Sequence, residues 1–200
     1  MIATKSIALF GGSFDPIHNG HLFLIEELLN SARFEKLIVI PAGAPWQKSV
    51  AASGADRLAM VEIALKDCMN KYRELEISRF EVDNSGPSYA YQSIEYFKLQ
   101  NPGDNLVWII GSDAFAKIGE WREIEQVAES VKFLVINRPG QQLEISKIPK
   151  SITYSQIEIK ALDLSSTKIR NLIKASEPYE SLLPSGVAAY IKSQGIYAAA

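Results

Sequence analysis

The chain has 200 residues, of which 47% are hydrophobic and 22% are charged. This length favours one domain, and the composition is that of a globular protein, which excludes disorder as the main state. The formal net charge of −2 gives no broad positive field for a polyanion, so we predict no nucleic-acid partner.

Hydrophobic runs and cysteine content together indicate the compartment. No apolar stretch approaches the roughly 20 residues that span a bilayer, and the first apolar run is too short for a signal peptide. The one cysteine, Cys68, cannot form an internal disulfide. We therefore predict a cytoplasmic protein without a membrane partner and leave open whether it forms a homo-oligomer.

Short apolar runs alternate along the chain with longer segments of helical periodicity, a pattern typical of strands covered on both faces by crossover helices. We predict strands at Ser6 to Phe10, Leu37 to Ile40, Leu75 to Val82, Leu106 to Ile110, Phe133 to Ile136 and Ile152 to Ile159. We predict helices at His21 to Ala32, Ala55 to Asn70, Tyr89 to Leu99, Trp121 to Ser130, Ser166 to Lys174 and Ser185 to Lys192.

This alternation predicts an α/β fold with a doubly wound, mostly parallel sheet and C-terminal helices. We expect a single domain over residues 1–200, in which residues 165–200 form the C-terminal helical part. Ligands of such sheets bind outside the carboxyl ends of the strands, so functional residues are expected in the loops that follow strands.

The loop after the first predicted strand carries the most informative motif. It reads Phe10-Gly11-Gly12-Ser13-Phe14-Asp15-Pro16-Ile17-His18-Asn19-Gly20-His21-Leu22 and leads into a helix. Glycines let the backbone approach a ligand, and a helix N-terminus favours anions. Both histidines of the chain, His18 and His21, lie here and can donate to one group of oxygens. The motif predicts a phosphate site.

Two other interpretations of this loop stay open. One is a plain Gly-Gly turn with two solvent-facing histidines. The other is a metal ion shared by His18 and His21, although the chain has no further histidine to complete a soft-ligand set. The loop is neither a Walker A sequence nor a Gly-x-Gly-x-x-Gly dinucleotide fingerprint. We predict no metal site built by the protein itself.

A second polar segment, Leu164-Ser165-Ser166-Thr167-Lys168-Ile169-Arg170, opens a later predicted helix. Hydroxyl groups at a helix start are ordinary caps. Cations so close to a helix N-terminus oppose its dipole, however, and an anion held there would account for Lys168 and Arg170. The segment therefore predicts a second phosphate contact.

Both motifs resemble known signatures. The first loop is similar to the Gly-x-Phe-x-Pro-x-His-x-Gly-His signature of the nucleotidyltransferase superfamily, and the second segment resembles its Ser-Ser-Thr-x-x-Arg signature. Further segments, spread over nearly the whole chain, resemble the bacterial nicotinate-nucleotide adenylyltransferases. In chain order these are Pro41-Ala42-Gly43-Ala44-Pro45-Trp46-Gln47-Lys48, Gly86-Pro87-Ser88-Tyr89, Gly111-Ser112-Asp113 and Trp121.

The chain departs from that family pattern at three places. The usual Pro-His-Lys is Pro45-Trp46-Gln47-Lys48, which keeps the lysine and lacks the histidine. The usual Ser-Tyr-Thr is Ser88-Tyr89-Ala90, without the threonine hydroxyl often assigned to the pyridine carboxylate, and Gly-Ala-Asp is Gly111-Ser112-Asp113. We therefore expect that carboxylate to be held by backbone N–H groups, for which Gly86 to Ser88 are the candidates, or by other residues.

The resemblance implies a Rossmann-like nucleotidyltransferase that joins nicotinate mononucleotide to ATP, giving nicotinate adenine dinucleotide and pyrophosphate in NAD biosynthesis. It also implies Mg²⁺ bound together with ATP, and small-molecule substrates as the partners. Two alternatives stay open: a related enzyme that uses nicotinamide mononucleotide or phosphopantetheine as acceptor, and a nucleotide-binding regulator without turnover.

Roles for individual residues follow from the same resemblance. The catalytic residues would be His18, His21 and Arg170. The ATP site would comprise Gly11, Gly12, Ser13, Phe14, His18, His21, Lys48, Ser166, Thr167 and Arg170. The acceptor nucleotide site would comprise Ser88, Tyr89, Asp113 and Trp121. For Trp121 a hydrophobic anchor, and for Tyr89 plain helix packing, are the competing interpretations.

Overall fold

The computed structural model describes residues 6–137, 147–159 and 164–198. Within these residues, six strands form one sheet: β1 (Ser6–Gly12), β2 (Lys36–Pro41), β3 (Leu75–Ile77), β4 (Asn105–Gly111), β5 (Lys132–Asn137) and β6 (Tyr154–Glu158). The α-helices of the same residues are α1 (Asn19–Asn30), α2 (Gly54–Lys71), α3 (Phe80–Asp83), α4 (Ala90–Gln100), α5 (Ser112–Phe115), α6 (Ile124–Ser130), α7 (Ser166–Lys174) and α8 (Ser185–Gln194).

Every strand pairing in the sheet is parallel, and the strand order is β3-β2-β1-β4-β5-β6. One apolar cluster lies between the sheet and helices α1, α2, α7 and α8, and a second lies between the sheet and helices α4, α5 and α6. Parallel strands buried on both faces need helices on both sides. The predicted α/β fold with a doubly wound parallel sheet is therefore confirmed.

Two predicted boundaries are wrong, and one helix was not predicted. The strand predicted from Leu75 ends at Ile77, and the chain then turns into the short helix α3. The helix predicted from Trp121 begins only at Ile124, because Glu123 has a φ of 55° and a left-handed residue cannot continue a right-handed helix. Helix α5, which follows β4 directly, has no counterpart in the sequence-based prediction because four residues carry no periodicity.

Strand β1 lies in the middle of the sheet, between β2 and β4. The connections that follow β1 and β4 run on opposite faces, with α1 packed on one side and α5 and α6 on the other. At such a switch point the loops diverge and leave a crevice at the carboxyl ends of the strands. No described helix is long and apolar enough to cross a membrane.

Candidate active site

A cavity of about 710 Å³ opens at the carboxyl ends of β1 and β4. This is a common size for a small-molecule site. The predicted site residues that line it are Gly11, Gly12, Ser13, Phe14, His18, His21, Lys48, Ser88, Asp113, Trp121, Ser166, Thr167 and Arg170. Tyr89 is the exception, since its neighbours Ser88 and Ala90 line the cavity and Tyr89 does not. Both predicted phosphate motifs therefore meet the predicted acceptor residues at one opening.

A close contact between Gly12 and the ring of Phe14 shapes the loop between β1 and α1. A Cβ atom at Gly12 would lie 2.8 Å from that ring, so a larger residue would displace it. Phe14 itself has a φ of 47°, and its buried ring meets Phe10 and His21 edge-on at centroid distances of 5.6 and 5.1 Å. Apolar packing therefore holds this loop in one conformation, although its glycines alone would allow many.

His18 and His21 stack on each other, with ring centroids 3.8 Å apart. The backbone N–H of His18 donates to Nδ1 of the His21 ring at 3.2 Å. Burial lowers the pKa of His21 well below its ordinary value, and the charges of His18 and Lys48 lower it further. His21 is therefore neutral at pH 7, with its proton on Nε2. The interpretation as two solvent-facing histidines is wrong, since His18 is buried.

The second motif begins as an ordinary helix cap. Ser165 is the N-cap residue of α7, and its Oγ accepts from the N–H of Lys168 at 3.2 Å. Lys168 is exposed and does not line the cavity. The anion contact expected for Lys168 therefore has no support in the structure, whereas the capping interpretation holds for Ser165.

The next residues of α7 tie this helix to the first loop. Ser166 Oγ donates to the carbonyl of Pro16 at 2.9 Å. Arg170 Nη1 donates to the carbonyl of Asp15 at 2.7 Å, and Nη2 lies 3.2 Å from Thr167 Oγ1. These bonds join segments about 150 residues apart in the chain. The two motifs consequently form one polar wall of the cavity.

The buried carboxylate of Asp15 stabilises this wall through hydrogen bonds. Its carboxylate accepts from the N–H groups of Ala51 and Ala52 at 2.8 and 3.1 Å and from the Tyr197 hydroxyl at 2.7 Å. Arg170 Nη1 lies 3.6 Å from Oδ2. The side chain is almost fully buried, and such a carboxylate is stable only when it is paired in this way. Its hydrogen bonds hold the loop rather than a ligand.

Arg57 is a structural residue of the site that the sequence did not reveal. It is fully buried and donates to the carbonyls of Ser13, Ala42 and Gly43 at 2.7, 2.5 and 2.7 Å, and to that of Ala52 at 3.3 Å. One guanidinium thereby joins the loops after β1 and β2 to the start of α2. In the sequence it is an arginine in an amphipathic helix, a position usually exposed to solvent.

On the opposite side of the cavity, Ser88 joins the loop after β2 to the segment before α4. The N–H groups of Gly43 and Ala44 donate to Ser88 Oγ at 2.9 and 3.1 Å, and the Ser88 N–H donates to the carbonyl of Ala44 at 2.8 Å. A Cβ atom at Gly43 would lie 1.9 Å from the carbonyl oxygen of Glu81. Glycine at position 43 is therefore required for this approach.

These bonds correct the expectation that backbone N–H groups of Gly86 to Ser88 hold a carboxylate. The N–H of Ser88 is already engaged within the protein, and Pro87 has no N–H. Two of the three expected donors are thus lost. Of these three residues, Gly86 keeps a backbone N–H for such a contact.

Trp121 lines this side of the cavity and also anchors it. Its ring packs edge-on against Trp108 and Phe133, at centroid distances of 5.9 and 6.2 Å. The indole Nε1 is buried and has no hydrogen-bond partner within the described residues. The hydrophobic-anchor interpretation therefore holds, and it is compatible with a second role toward a ligand, because Trp121 also borders the cavity.

Tyr89 lies in an aromatic group beside the cavity. Its ring is 5.9 Å from Tyr91 and 5.9 Å from Trp46, measured between centroids. The guanidinium carbon of Arg122 lies 5.1 Å from the Tyr89 ring centroid, and Arg122 itself lines the cavity. Arg122 is not among the site residues predicted from the sequence, where its one signal is its position directly after Trp121.

Within the described ranges, the carboxylates that line the cavity are those of Asp15, Glu81 and Asp113. Glu81 accepts a hydrogen bond from Ser93 Oγ at 2.6 Å, and burial raises the pKa of Glu81. Among the residues the structure describes, no group of three or more His, Cys, Asp or Glu side chains is placed to hold a metal ion.

Comparisons with known proteins agree with this architecture. The family described as cytidylyltransferase-like matches residues 9–172. A protein of Clostridium tetani named probable nicotinate-nucleotide adenylyltransferase is 36% identical, over 96% of this chain and 99% of that protein. Its counterpart from Leifsonia xyli is 34% identical, over 96% and 93%.

A solved structure of Plasmodium falciparum nicotinic acid mononucleotide adenylyltransferase, complexed with NaAD, superposes with a TM-score of 0.81. The alignment covers 96% of this chain and 97% of that one at 21% identity, which establishes the common fold. Together with the sequence relatives, it confirms the resemblance seen in the motifs. The chain belongs to the nicotinate-nucleotide adenylyltransferase family of cytidylyltransferase-like nucleotidyltransferases.

Proposed function

We propose that the protein joins nicotinate mononucleotide to ATP, giving nicotinate adenine dinucleotide and pyrophosphate, as a single-domain cytoplasmic enzyme of NAD biosynthesis. The observation that carries this proposal is the convergence of the two phosphate motifs. Ser166 and Arg170 of α7 bond directly to the backbone of the first loop, so groups suited to a polyphosphate come together in one cavity. The family relationship supports the same reaction.

The chemistry needs no covalent nucleophile on the protein. The phosphate of nicotinate mononucleotide, with a second pKa near 6, is largely a dianion at neutral pH and can attack the α-phosphorus of ATP. A bond forms between that phosphate oxygen and phosphorus, the bond to the bridging oxygen breaks, and pyrophosphate leaves. The protein must hold two anions in line and offset their repulsion.

In this proposal, both the first loop and α7 contribute hydrogen-bond donors to ATP. His18 and His21 donate to the phosphates, and neutral His21 does so through its Nε2–H. Arg170 contacts the terminal phosphates from a position already fixed by Asp15. The remaining contacts come from Gly11, Gly12, Ser13, Phe14, Lys48, Ser166 and Thr167, all of which line the cavity.

We propose that Mg²⁺ enters with the triphosphate. The donor set fits an ion held by phosphate oxygens and water rather than by a protein cage, because the Asp15 carboxylate is committed to four groups of the protein. Bound in this way, the ion would neutralise part of the phosphate charge.

The acceptor lies on the side of α4 in this proposal. Trp121 borders the pyridine ring, Asp113 binds ribose hydroxyls, and Ser88 shapes the wall through its bonds to the loop after β2. Tyr89 contributes indirectly, because it does not line the cavity but packs beside it.

The test is pyrophosphate release from ATP and Mg²⁺ with nicotinate mononucleotide, nicotinamide mononucleotide or phosphopantetheine as acceptor. We expect the acid nucleotide to be the best substrate. His18→Ala and His21→Ala should each lower turnover by roughly two to three orders of magnitude, whereas Lys98→Ala, at an exposed position outside the cavity, should not. ATP binding without pyrophosphate release in the presence of any of these acceptors would identify a regulator instead.

A further inference from the structure

The cations of the cavity are divided between its two sides. Among the described residues, the Arg and Lys side chains in the lining are Lys48, Arg122 and Arg170. Arg170 is bonded to Asp15, and Lys48 lies close enough to His21 to lower the pKa of that histidine. Both therefore belong to the phosphate side. Arg122 is the only one of the three on the side of α4.

The position of Arg122 is defined by its neighbours. It directly follows Trp121, which borders the cavity, and its guanidinium carbon lies 5.1 Å from the centroid of the Tyr89 ring. Tyr89 is the N-cap residue of α4, and Ala90 after it lines the cavity. Cation–π contact restrains the guanidinium beside the first turn of α4, which reduces the entropy lost when it binds an anion.

Two backbone donors expected on this wall cannot serve a ligand. The Ser88 N–H donates to the carbonyl of Ala44, Pro87 has no N–H, and Ala90 offers a methyl group. Besides the Tyr89 ring, Arg122 has Glu123 as an ion-pair partner, whose Oε1 lies 3.9 Å from Nε. Both side chains of that pair are more than half exposed, so the pair is weak and screened by water.

We propose that the Arg122 guanidinium binds the ring carboxylate of nicotinate mononucleotide and thereby selects the acid over the amide. The inference rests on the proposed function and adds its specificity determinant. The acid and amide nucleotides share ring, ribose and phosphate and differ by one negative charge. A guanidinium can bind the carboxylate as an ion pair with two parallel hydrogen bonds, whereas the neutral amide offers it one carbonyl oxygen and no opposite charge.

The experiment measures kcat/KM for both pyridine nucleotides with the full chain and its Arg122→Gln and Arg122→Lys variants. Arg122→Gln should lose about tenfold to a hundredfold with the acid, the range expected for one charge-assisted hydrogen bond, and should lose much less with the amide. Arg122→Lys should recover part of the loss. Arg79→Gln is the matched control, because Arg79 is equally exposed at 57% and lies outside the cavity lining.

The outcomes separate the inference from the function on which it rests. Equal losses with acid and amide would overturn the inference, because they would place Arg122 at the phosphate or ribose that both nucleotides share. An unchanged kcat/KM for the acid would overturn it as well. Absence of turnover by the wild-type protein with either nucleotide would instead overturn the proposed function, and the inference with it.

Discussion

The hydroxyl of Tyr197 donates to Oδ1 of Asp15 across 2.7 Å, although 182 positions separate the two residues in the chain. Burial raises the pKa of Tyr197, and the bond to Asp15 raises it further, so the phenol stays protonated and remains a donor. The segment after α8 thus supports the loop that the first strand leads into. Residues at both ends of the described chain hold one wall of the cavity.

Removing that hydroxyl should destabilise the protein. Tyr197→Phe leaves the buried Asp15 carboxylate without one of its donors, and we expect a loss of about 1 to 3 kcal/mol in the free energy of unfolding. Tyr72→Phe removes the same atom from an exposed hydrogen bond to Asn30 and serves as the control, with little change expected. Urea denaturation measures both, and equal effects would contradict the special role of Tyr197.

A larger loss is expected at Arg57. Arg57→Met leaves the carbonyls of Ser13, Ala42 and Gly43 without their buried donor, so we expect the free energy of unfolding to fall by about 3 kcal/mol or more. Arg57→Lys keeps the charge but not the fork of donors, so its free energy of unfolding should lie between those of the wild type and Arg57→Met. A methionine variant as stable as the wild type would show that the carbonyls find other donors.

Gly43 tests the contact between the loop after β2 and the segment before α4. Gly43→Ala places a methyl group against the carbonyl of Glu81, so the backbone must move and the bonds to Ser88 weaken. We expect a raised KM for the acceptor nucleotide with little change in the KM for ATP. Gly119→Ala, where a Cβ atom meets only ordinary contacts, is the control, and a change in the KM for ATP alone would argue against this division of the cavity.

His21 should make stability depend on pH. Its pKa is lowered by burial in the folded protein, whereas in the unfolded chain it is near 6.5. Below that pH the unfolded state binds a proton that the folded state does not, so stability should fall by at most about 1.4 kcal/mol per pH unit. His21→Asn should show a flatter fall between pH 7 and 5 in urea denaturation. Equal slopes would assign the pH dependence to other groups.

Arg170 should be sensitive even to a conservative change. Lysine keeps the charge but cannot contact the Asp15 carbonyl and Thr167 Oγ1 together as the guanidinium does. We expect Arg170→Lys to raise the KM for ATP by roughly tenfold, as for loss of a charge-assisted hydrogen bond, while the acceptor KM changes little. If both KM and kcat stayed at their wild-type values, Arg170 would have only a structural role.

The sequence predicts the fold and the phosphate side of the cavity better than it predicts the acceptor side. The apolar runs locate all six described strands, because strands buried on both faces are continuously apolar, and the glycines and histidines of the first loop mark the phosphate side. Arg57 and Tyr197 could not be found in this way. A buried arginine within a helix and a tyrosine far along the chain acquire their meaning only from backbone carbonyls and a carboxylate that folding brings to them.

The acceptor side was harder to predict for a related reason. A backbone N–H is available to a ligand only if no group of the protein accepts a hydrogen bond from it. The N–H of Ser88 donates to the carbonyl of Ala44 in another loop. The end of the strand predicted through Val82 is missed because its alternating pattern continues into the short helix α3. The hydrophobic pattern of a segment does not show which distant residues will pair with its backbone N–H groups.

The distance along the chain between Asp15 and its partners also bears on synthesis. Arg170 follows Asp15 by 155 positions, which a ribosome adding about 5 to 20 residues per second covers in roughly 8 to 30 seconds. During that interval the emerging chain holds a carboxylate destined for burial but not yet its last cationic and phenolic partners. The nucleotide wall is therefore completed only after Arg170 and Tyr197 have been synthesised, and a fragment released before that point would carry the first motif without a working site.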